Sequence, residues 1–206
     1  FFLGELFLPL PLPSDRPVKE QCGKCVACIT TCPTGAIVEP YVVDSRKCIS
    51  YLTIEQKGPI PVEYRQAMGN RIYGCDDCQL ICPWNRFADL TTEPDFTPRS
   101  PLHPTTLLEL WGWTEQEFLD KTQGSPIRRI GYVSWMRNIA VALGNAKFSL
   151  KHVEALKAKL GQLNELVDEH IEWALEQQAE KAENQGADAR QLKRLIKAIR
   201  IGLPRD

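Results

Sequence analysis

All the cysteines of this sequence, eight in number, fall between Cys22 and Cys82, in two runs that each end in proline with Cys48 standing alone between them. The first run is Cys22-x2-Cys25-x2-Cys28-x3-Cys32-Pro33, the spacing by which bacterial two-cluster ferredoxins hold iron–sulfur cubes. Three close thiolates take three corners of one cube, and the fourth, turned away at the proline, ligates the other cluster. The second run, Cys75-x2-Cys78-x3-Cys82-Pro83, ends the same way but carries Ile72 where its leading cysteine would be, and Cys48 is left to replace it. The assignment then closes. Cluster 1 takes Cys22, Cys25, Cys28 and Cys82; cluster 2 takes Cys32, Cys48, Cys75 and Cys78. Soft thiolates in two sets of four suit two 4Fe-4S clusters, and the exchange of Cys32 and Cys82 keeps those clusters near enough to pass electrons.

Other uses of these thiols fit less well. Zinc accepts four thiolates but usually through two separated Cys-x2-Cys hooks, whereas a continuous run closed by proline is the ferredoxin pattern. A disulfide framework needs an oxidising compartment, and no secretory signal is visible. His103, His152 and His170 lie outside the cysteine region and read as surface or packed histidines rather than ligands.

The chain of 206 residues can bury a real core, and its net charge of −1 gives no overall pull toward nucleic acid or membrane. No apolar run approaches the roughly 20 residues of a membrane helix, so a cytoplasmic protein without a membrane partner is expected. No coiled-coil seam or self-complementary face is evident, which points to a monomer. The opening Phe1-Phe2-Leu3-Gly4-Glu5-Leu6-Phe7-Leu8 lacks Met and is apolar enough to be a buried strand or helix end, suggesting a fragment.

Four segments follow from composition. Residues 1–20 end in a connector punctuated by Pro9, Pro11, Pro13 and Pro17; residues 21–90 form a dicluster domain; residues 91–104, with Pro94, Pro98, Pro101 and Pro104, form a linker; and residues 105–206 turn helical. Thr105 or Thr106 caps a helix bearing Leu107, Leu108 and Leu110, and Thr114 with Glu117 fits a capping box. Ser125-Pro126 opens a helix that Gly144 or Asn145 closes. Helical spacing recurs at Val153, Leu156, Leu160 and Leu163, at Leu163, Leu166, Val167, Ile171 and Ala174, and at Leu192, Leu195, Ile196 and Ile199. The expected fold is α-rich: a ferredoxin-like dicluster domain followed by stacked HEAT-like helical repeats.

Charge is divided within the helical half. From Lys121 to Leu160, Lys121, Arg128, Arg129, Arg137, Lys147, Lys151, Lys157 and Lys159 face only Glu154. Residues 161–189 reverse this, with eight carboxylates against Lys181, and read as a solvated face. A basic helical surface interleaved with Tyr132 and Trp135 suits phosphate contacts to folded RNA, while the competing reading has the cations solvating helix faces and the two aromatics packing in the core.

The stretches Arg46-Lys47-Cys48-Ile49-Ser50-Tyr51-Leu52-Thr53-Ile54-Glu55, Gly58-Pro59-Ile60-Pro61, Tyr73-Gly74-Cys75-Asp76-Asp77-Cys78-Gln79-Leu80-Ile81-Cys82-Pro83-Trp84-Asn85 and Phe2-Leu3-Gly4-Glu5 resemble epoxyqueuosine reductases. The displaced ligand at Cys48 is shared by that family and the reductive dehalogenases, and the flanking residues favour the tRNA enzyme. The resemblance implies a cobalamin-binding domain before the cysteines and HEAT-like helices after them. It also implies reduction of epoxyqueuosine to queuosine at the tRNA wobble position, with this portion relaying electrons from an external electron donor through two clusters and docking tRNA. Ser50, Cys75 and Asp76 match cobalamin-contacting positions. Lys57 matches a tRNA-contacting one, which spacing alone reads as a solvated loop charge. Arg128, Arg129 and Arg137 join it as expected tRNA contacts. No catalytic acid is assigned here, because the resemblance places the proton donor in the preceding half, and this portion alone is expected to be inactive. Two further readings stand beside this one: a stand-alone dicluster electron carrier, and a corrinoid reductase of a small molecule such as a dehalogenase.

Overall fold

The computed structural model describes residues 4–19, 22–97 and 102–202, with residue 185 and residues 187–202 described as helix backbone alone. Residues 4–19 run exposed and without regular structure. Over its described residues, 4–8, the apolar opening is therefore not the buried strand or helix end expected of it: Leu6 and Phe7 are 89% and 92% exposed. Pro9, Pro11, Pro13 and Pro17 lack the N–H that pairing into a sheet or helix would use.

The cysteine region is built from short pieces because prolines and turns interrupt every run. Helix α1 (Ala27–Thr31) leads to a small hairpin, β1 (Ile37–Glu39) and β2 (Val42–Val43), antiparallel with Ile37 opposite Val43 and Glu39 opposite Val42. Helices α2 (Ile49–Ile54), α3 (Val62–Met68) and α4 (Asp77–Leu80) follow. The proline-rich strap after them is exposed over residues 88–97 and forms a single 3-10 turn at Pro94–Phe96.

Beyond the strap, α5 (Leu107–Trp111) and α6 (Glu115–Lys121) both open with complete capping boxes: Thr114 with Glu117 as expected, and Thr106, of the two threonines the sequence offers, with Glu109. The helix expected from Ser125 to Gly144 or Asn145 is instead a 3-10 turn, Pro126–Ile130, and a separate α7 (Tyr132–Asn145). Gly131 divides them with φ +79°, a conformation that favours glycine. Helix α8 (Leu150–Lys159) precedes α9 (Glu165–Gly202), whose backbone is continuous where the sequence pattern predicts two helices. The series Leu192, Leu195, Ile196 and Ile199 lies outside the described side chains.

Helix α7 is apolar around almost its whole circumference, and such a helix is stable only inside a protein. From Ser134 to Gly144 it is buried without a break. It packs most extensively on α9 and also meets α2, α3, α5 and α6. Its core is continuous with that of the cysteine region: Ile49, Leu52, Ile60 and Met68 belong to the same cluster as Leu110, Trp111, Phe118, Ile139 and Leu143. The segments 21–90 and 105–206 thus share one interior. Trp135 stacks on Trp113 at 5.9 Å, and the Tyr132 hydroxyl donates to the Trp113 carbonyl at 2.6 Å, so both aromatics are core rather than RNA-facing.

Polar side chains fasten the shared interior. Buried Arg65 donates to the Ile60 carbonyl at 2.8 Å and pairs with Glu169 on α9. Asn145 donates to the carbonyls of Arg65 and Gly69 at 2.7 and 3.0 Å. His170 accepts the Ile60 amide at Nε2, 3.1 Å, and lies 2.7 Å through Nδ1 from the Leu166 carbonyl, the arrangement of a neutral ring.

Two residues make this interior testable. A Cβ at Gly144 would stand 2.7 Å from the Trp173 ring and 2.9 Å from the Ala174 Cα, so Gly144→Ala is expected to destabilise despite its better helix propensity. Urea unfolding should read a loss of about 1–3 kcal/mol. Burial lowers the His170 pKa from 6.5 to about 4. The unfolded chain therefore binds this proton first, and stability present above pH 6.5 should fall as pH drops toward 4, by roughly 3 kcal/mol for this group alone. In His170→Gln that portion of the pH slope should vanish from unfolding curves recorded across the window.

Candidate functional site

The thiols sort around two neighbouring cavities. One, of about 270 Å³, is lined by Cys22, Cys25, Cys28, Cys78 and Cys82 together with Pro83, Trp84 and Arg86. The other, of about 250 Å³, is lined by Cys32, Cys48, Cys75 and Cys78. Cys78 borders both; burial raises its thiol pKa, and the charges of Cys75, Cys48 and Cys32 raise it further.

Local structure explains how distant cysteines meet. Helices α1 and α4 pack together, which brings the first run beside the second. Cys32 and Cys82 each leave a helix in extended conformation at their prolines, with ψ of 116° and 125°. Cys48 is the N-cap of α2, and Cys75 precedes α4. Burial alone would raise the Cys32 thiol, but the Ala36 amide, 3.3 Å from Sγ, and the groups of Thr34 outweigh it and leave the pKa lowered. Amide donors of this kind favour the thiolate, the form that binds iron. Among the described residues, no three histidine, cysteine or acidic side chains converge as a single metal ion would need; the sulfurs surround a volume instead. An all-thiol donor set around a cavity fits an iron–sulfur cube.

A third, more open cavity of about 530 Å³ adjoins the second and is lined by Ser50, Ile54, Tyr73, Gly74, Cys75 and Asp76 among others. Ser50, Cys75 and Asp76 border both spaces, so the structure gathers these three sequence-derived positions on one wall. The Arg71–Asp77 pair, at 2.6 Å, closes its edge.

The expected RNA-facing cations divide. Lys57, Arg128 and Arg129 are exposed and share a corner: Lys57 Nζ lies 3.4 Å from the Ile130 carbonyl, and Arg129 pairs with Glu55 at 2.7 Å. Arg137 does not belong with them. Its side chain is fully buried and donates to the carbonyls of Gln56 and Gly58 at 2.7 Å and of Leu52 at 2.8 Å, so it cannot reach a phosphate. The physical reason is that a cation in a helical run reads as a solvated face unless the helix is known to be central. Lys159 is likewise half-buried over Trp111 and beside Tyr132, while Lys147, Lys151 and Lys157 stay exposed. Sequence reasoning gives no role to Thr53, Arg65 or Asn138 and reads Asn145 only as a helix end; Arg137-Asn138 inside an otherwise apolar stretch is the available signal.

Comparison with known proteins agrees with this geometry. Residues 21–85 match a family model described as a 4Fe-4S double cluster binding domain. The whole chain is 62% identical to the epoxyqueuosine reductase of Yersinia pestis, covering 50% of it, and 60% identical to that of Escherichia coli (strain K12), covering 55%. Among solved structures it resembles epoxyqueuosine reductase from Bacillus subtilis with TM-score 0.65 and 29% identity, over 81% of this chain and 53% of that one. It also resembles an epoxyqueuosine reductase crystallised with a tRNA-Tyr epoxyqueuosine-modified stem loop, with TM-score 0.64 and 28% identity, over 82% and 53% of the two chains. The chain spans about half the length of the curated relatives it matches.

The two-cavity arrangement predicts separable ligand loss. Reconstituted without oxygen, the chain should hold about eight irons, and Cys48→Ser should release about half of them while the remaining cluster keeps its spectrum. Iron analysis with electron paramagnetic resonance after reduction reads both.

Proposed function

We propose, from the premise that this chain belongs to the epoxyqueuosine reductase family, that it is the electron-relaying and tRNA-docking portion of an enzyme that reduces epoxyqueuosine to queuosine in tRNA. The observation that carries this reading is the division of the thiols around two adjoining cavities, the second of which borders an open space beside Ser50, Cys75 and Asp76. In this reading Cys22, Cys25, Cys28 and Cys82 hold one 4Fe-4S cluster, and Cys32, Cys48, Cys75 and Cys78 hold the other. Ser50, Cys75 and Asp76 form the protein wall against which cobalamin sits. When bound, these groups supply the electrons and the carbon–oxygen cleavage by which an epoxide, with two electrons and two protons, becomes an alkene and water.

The protein's own part is placement. The thiolates fix the clusters side by side, so that an electron entering from an external donor at the first lies close to the second. The helical half, which we read as HEAT-like, presents Arg128 and Arg129 to the phosphates of the anticodon stem, beside Lys57 on the loop after α2. Cations at one exposed corner recognise an RNA backbone without reading its bases. Glu55 holds Arg129 in place and partly offsets its charge, which leaves Arg128 and Lys57 as the stronger phosphate contacts.

The deciding experiment is an oxygen-free assay of the whole encoded protein with cobalamin, a reductant and tRNA carrying epoxyqueuosine, followed by nucleoside mass analysis. Conversion that disappears without cobalamin is expected; no conversion by protein shown to hold clusters and corrinoid would redirect the search to a small-molecule substrate. A second measurement addresses docking. In Arg128→Gln/Arg129→Gln, tRNA binding should weaken and the slope of log affinity against log salt should shrink by about 2, with iron content unchanged.

A further inference from the structure

Thr53 and Asn138 line neither thiol cavity, yet they join the two chain segments that carry Cys48 and Cys75. Thr53 lies on α2, which Cys48 caps, and is fully buried. Its hydroxyl donates to the Ile49 carbonyl at 2.7 Å and accepts the Gly74 amide at 3.0 Å. Gly74, with φ +72°, immediately precedes Cys75. Asn138, fully buried on α7, donates through Nδ2 to the carbonyls of Thr53 and Ile72, both at 2.9 Å. Its Oδ1 accepts from the Arg137 guanidinium at 2.9 and 3.1 Å, which fixes the amide's orientation. Among the described residues, no backbone hydrogen bond links α2 to residues 72–75, so these two side chains make the polar connection.

We propose that Thr53 and Asn138 are positioning residues for the second cluster: they hold the Cys48 helix and the Cys75 turn at the separation its thiolate quartet requires. The inference rests on the reading of Cys32, Cys48, Cys75 and Cys78 as one ligand set. Its physical basis is that a buried amide without a partner is costly. Removing the Thr53 hydroxyl leaves the Gly74 N–H unpaired, and relaxation of the Tyr73–Gly74 peptide, at a glycine that turns readily, shifts the adjoining Cys75. Cluster potentials respond to such changes in ligand placement and in nearby amide dipoles.

The test uses the whole encoded protein, reconstituted without oxygen, with Cys48→Ser and Cys22→Ser as markers that tell the two cluster signals apart. Thr53→Val, close in shape but lacking the hydroxyl, should keep the native circular dichroism and the first cluster's potential. Its second cluster should show a shifted potential and lose iron to a chelator about tenfold faster, the size of effect one buried hydrogen bond gives. Thr53→Ser should restore both, and Asn138→Leu should reproduce the Thr53→Val pattern; should Asn138→Leu fail to fold, the threonine pair alone decides. An unchanged second cluster in Thr53→Val, equal disturbance of both clusters, or no rescue by serine would overturn the proposal. Failure of the underlying ligand assignment appears separately, as two intact cluster signals in Cys48→Ser.

Discussion

A guanidinium enclosed by main-chain carbonyls holds the two halves of this protein to one another. Arg137 projects from the middle of the central helix and donates to Leu52, Gln56 and Gly58, the end of α2 and the loop that follows. Burying a charge without a carboxylate partner is unfavourable, and burial together with Arg65 lowers its pKa to about 10. At neutral pH it remains charged, because carbonyl dipoles and the Asn138 oxygen stand around its fork of donors. Lysine could not do the same work: a point ammonium lacks the planar donor array that meets several acceptors at once. With Asn138, Asn145 and Arg65, the residue turns an apolar packing surface into one with a single register.

This arrangement answers a difficulty built into the cysteine region. Segments cut short by prolines, glycines and cysteine-bearing turns cannot bury a core of their own, and α1, β1, β2 and α4 contribute no buried side chains. The helical half supplies the interior instead, and α2 and α3 dock into it through Leu52, Ile60 and Met68. The segments that carry Cys48 and Cys75 are thereby anchored to that interior. The first quartet stands farther from this support, at a surface where Trp84 and Phe87 remain about half exposed.

The same packing decides which cations are free to meet a partner. Of the basic residues between Lys121 and Lys159, Arg137 is consumed by the interior and Lys159 is drawn over Trp111, while Arg128 and Arg129 sit on the 3-10 turn that Gly131 separates from the helix. That break turns the pair outward beside Lys57, a residue far away along the chain. Glu165, Glu172, Glu176 and Glu180 line the exposed side of α9. Packing thus leaves fewer free cations than the sequence offers.

Much of this protein is legible in its sequence alone. Cysteine spacing determined the ligand quartets as an expectation, because a cube accepts thiolates only at short, repeated separations and the cysteines close into two sets with none unused. The Thr114–Glu117 capping box determined where α6 begins, and a capping threonine placed the start of α5 to within a residue, since such signals lie within one turn of chain. Tertiary structure alone decided what depends on surroundings: that Ser125 does not start the central helix, that Leu6 and Phe7 stay exposed, that Arg137 faces carbonyls instead of phosphates, and that Thr53 and Asn138 bridge the segments that carry Cys48 and Cys75. Local patterns reach a turn or two along the chain, whereas burial is a property of what the rest of the chain brings alongside, and a charged side chain looks the same in sequence whether water or protein surrounds it.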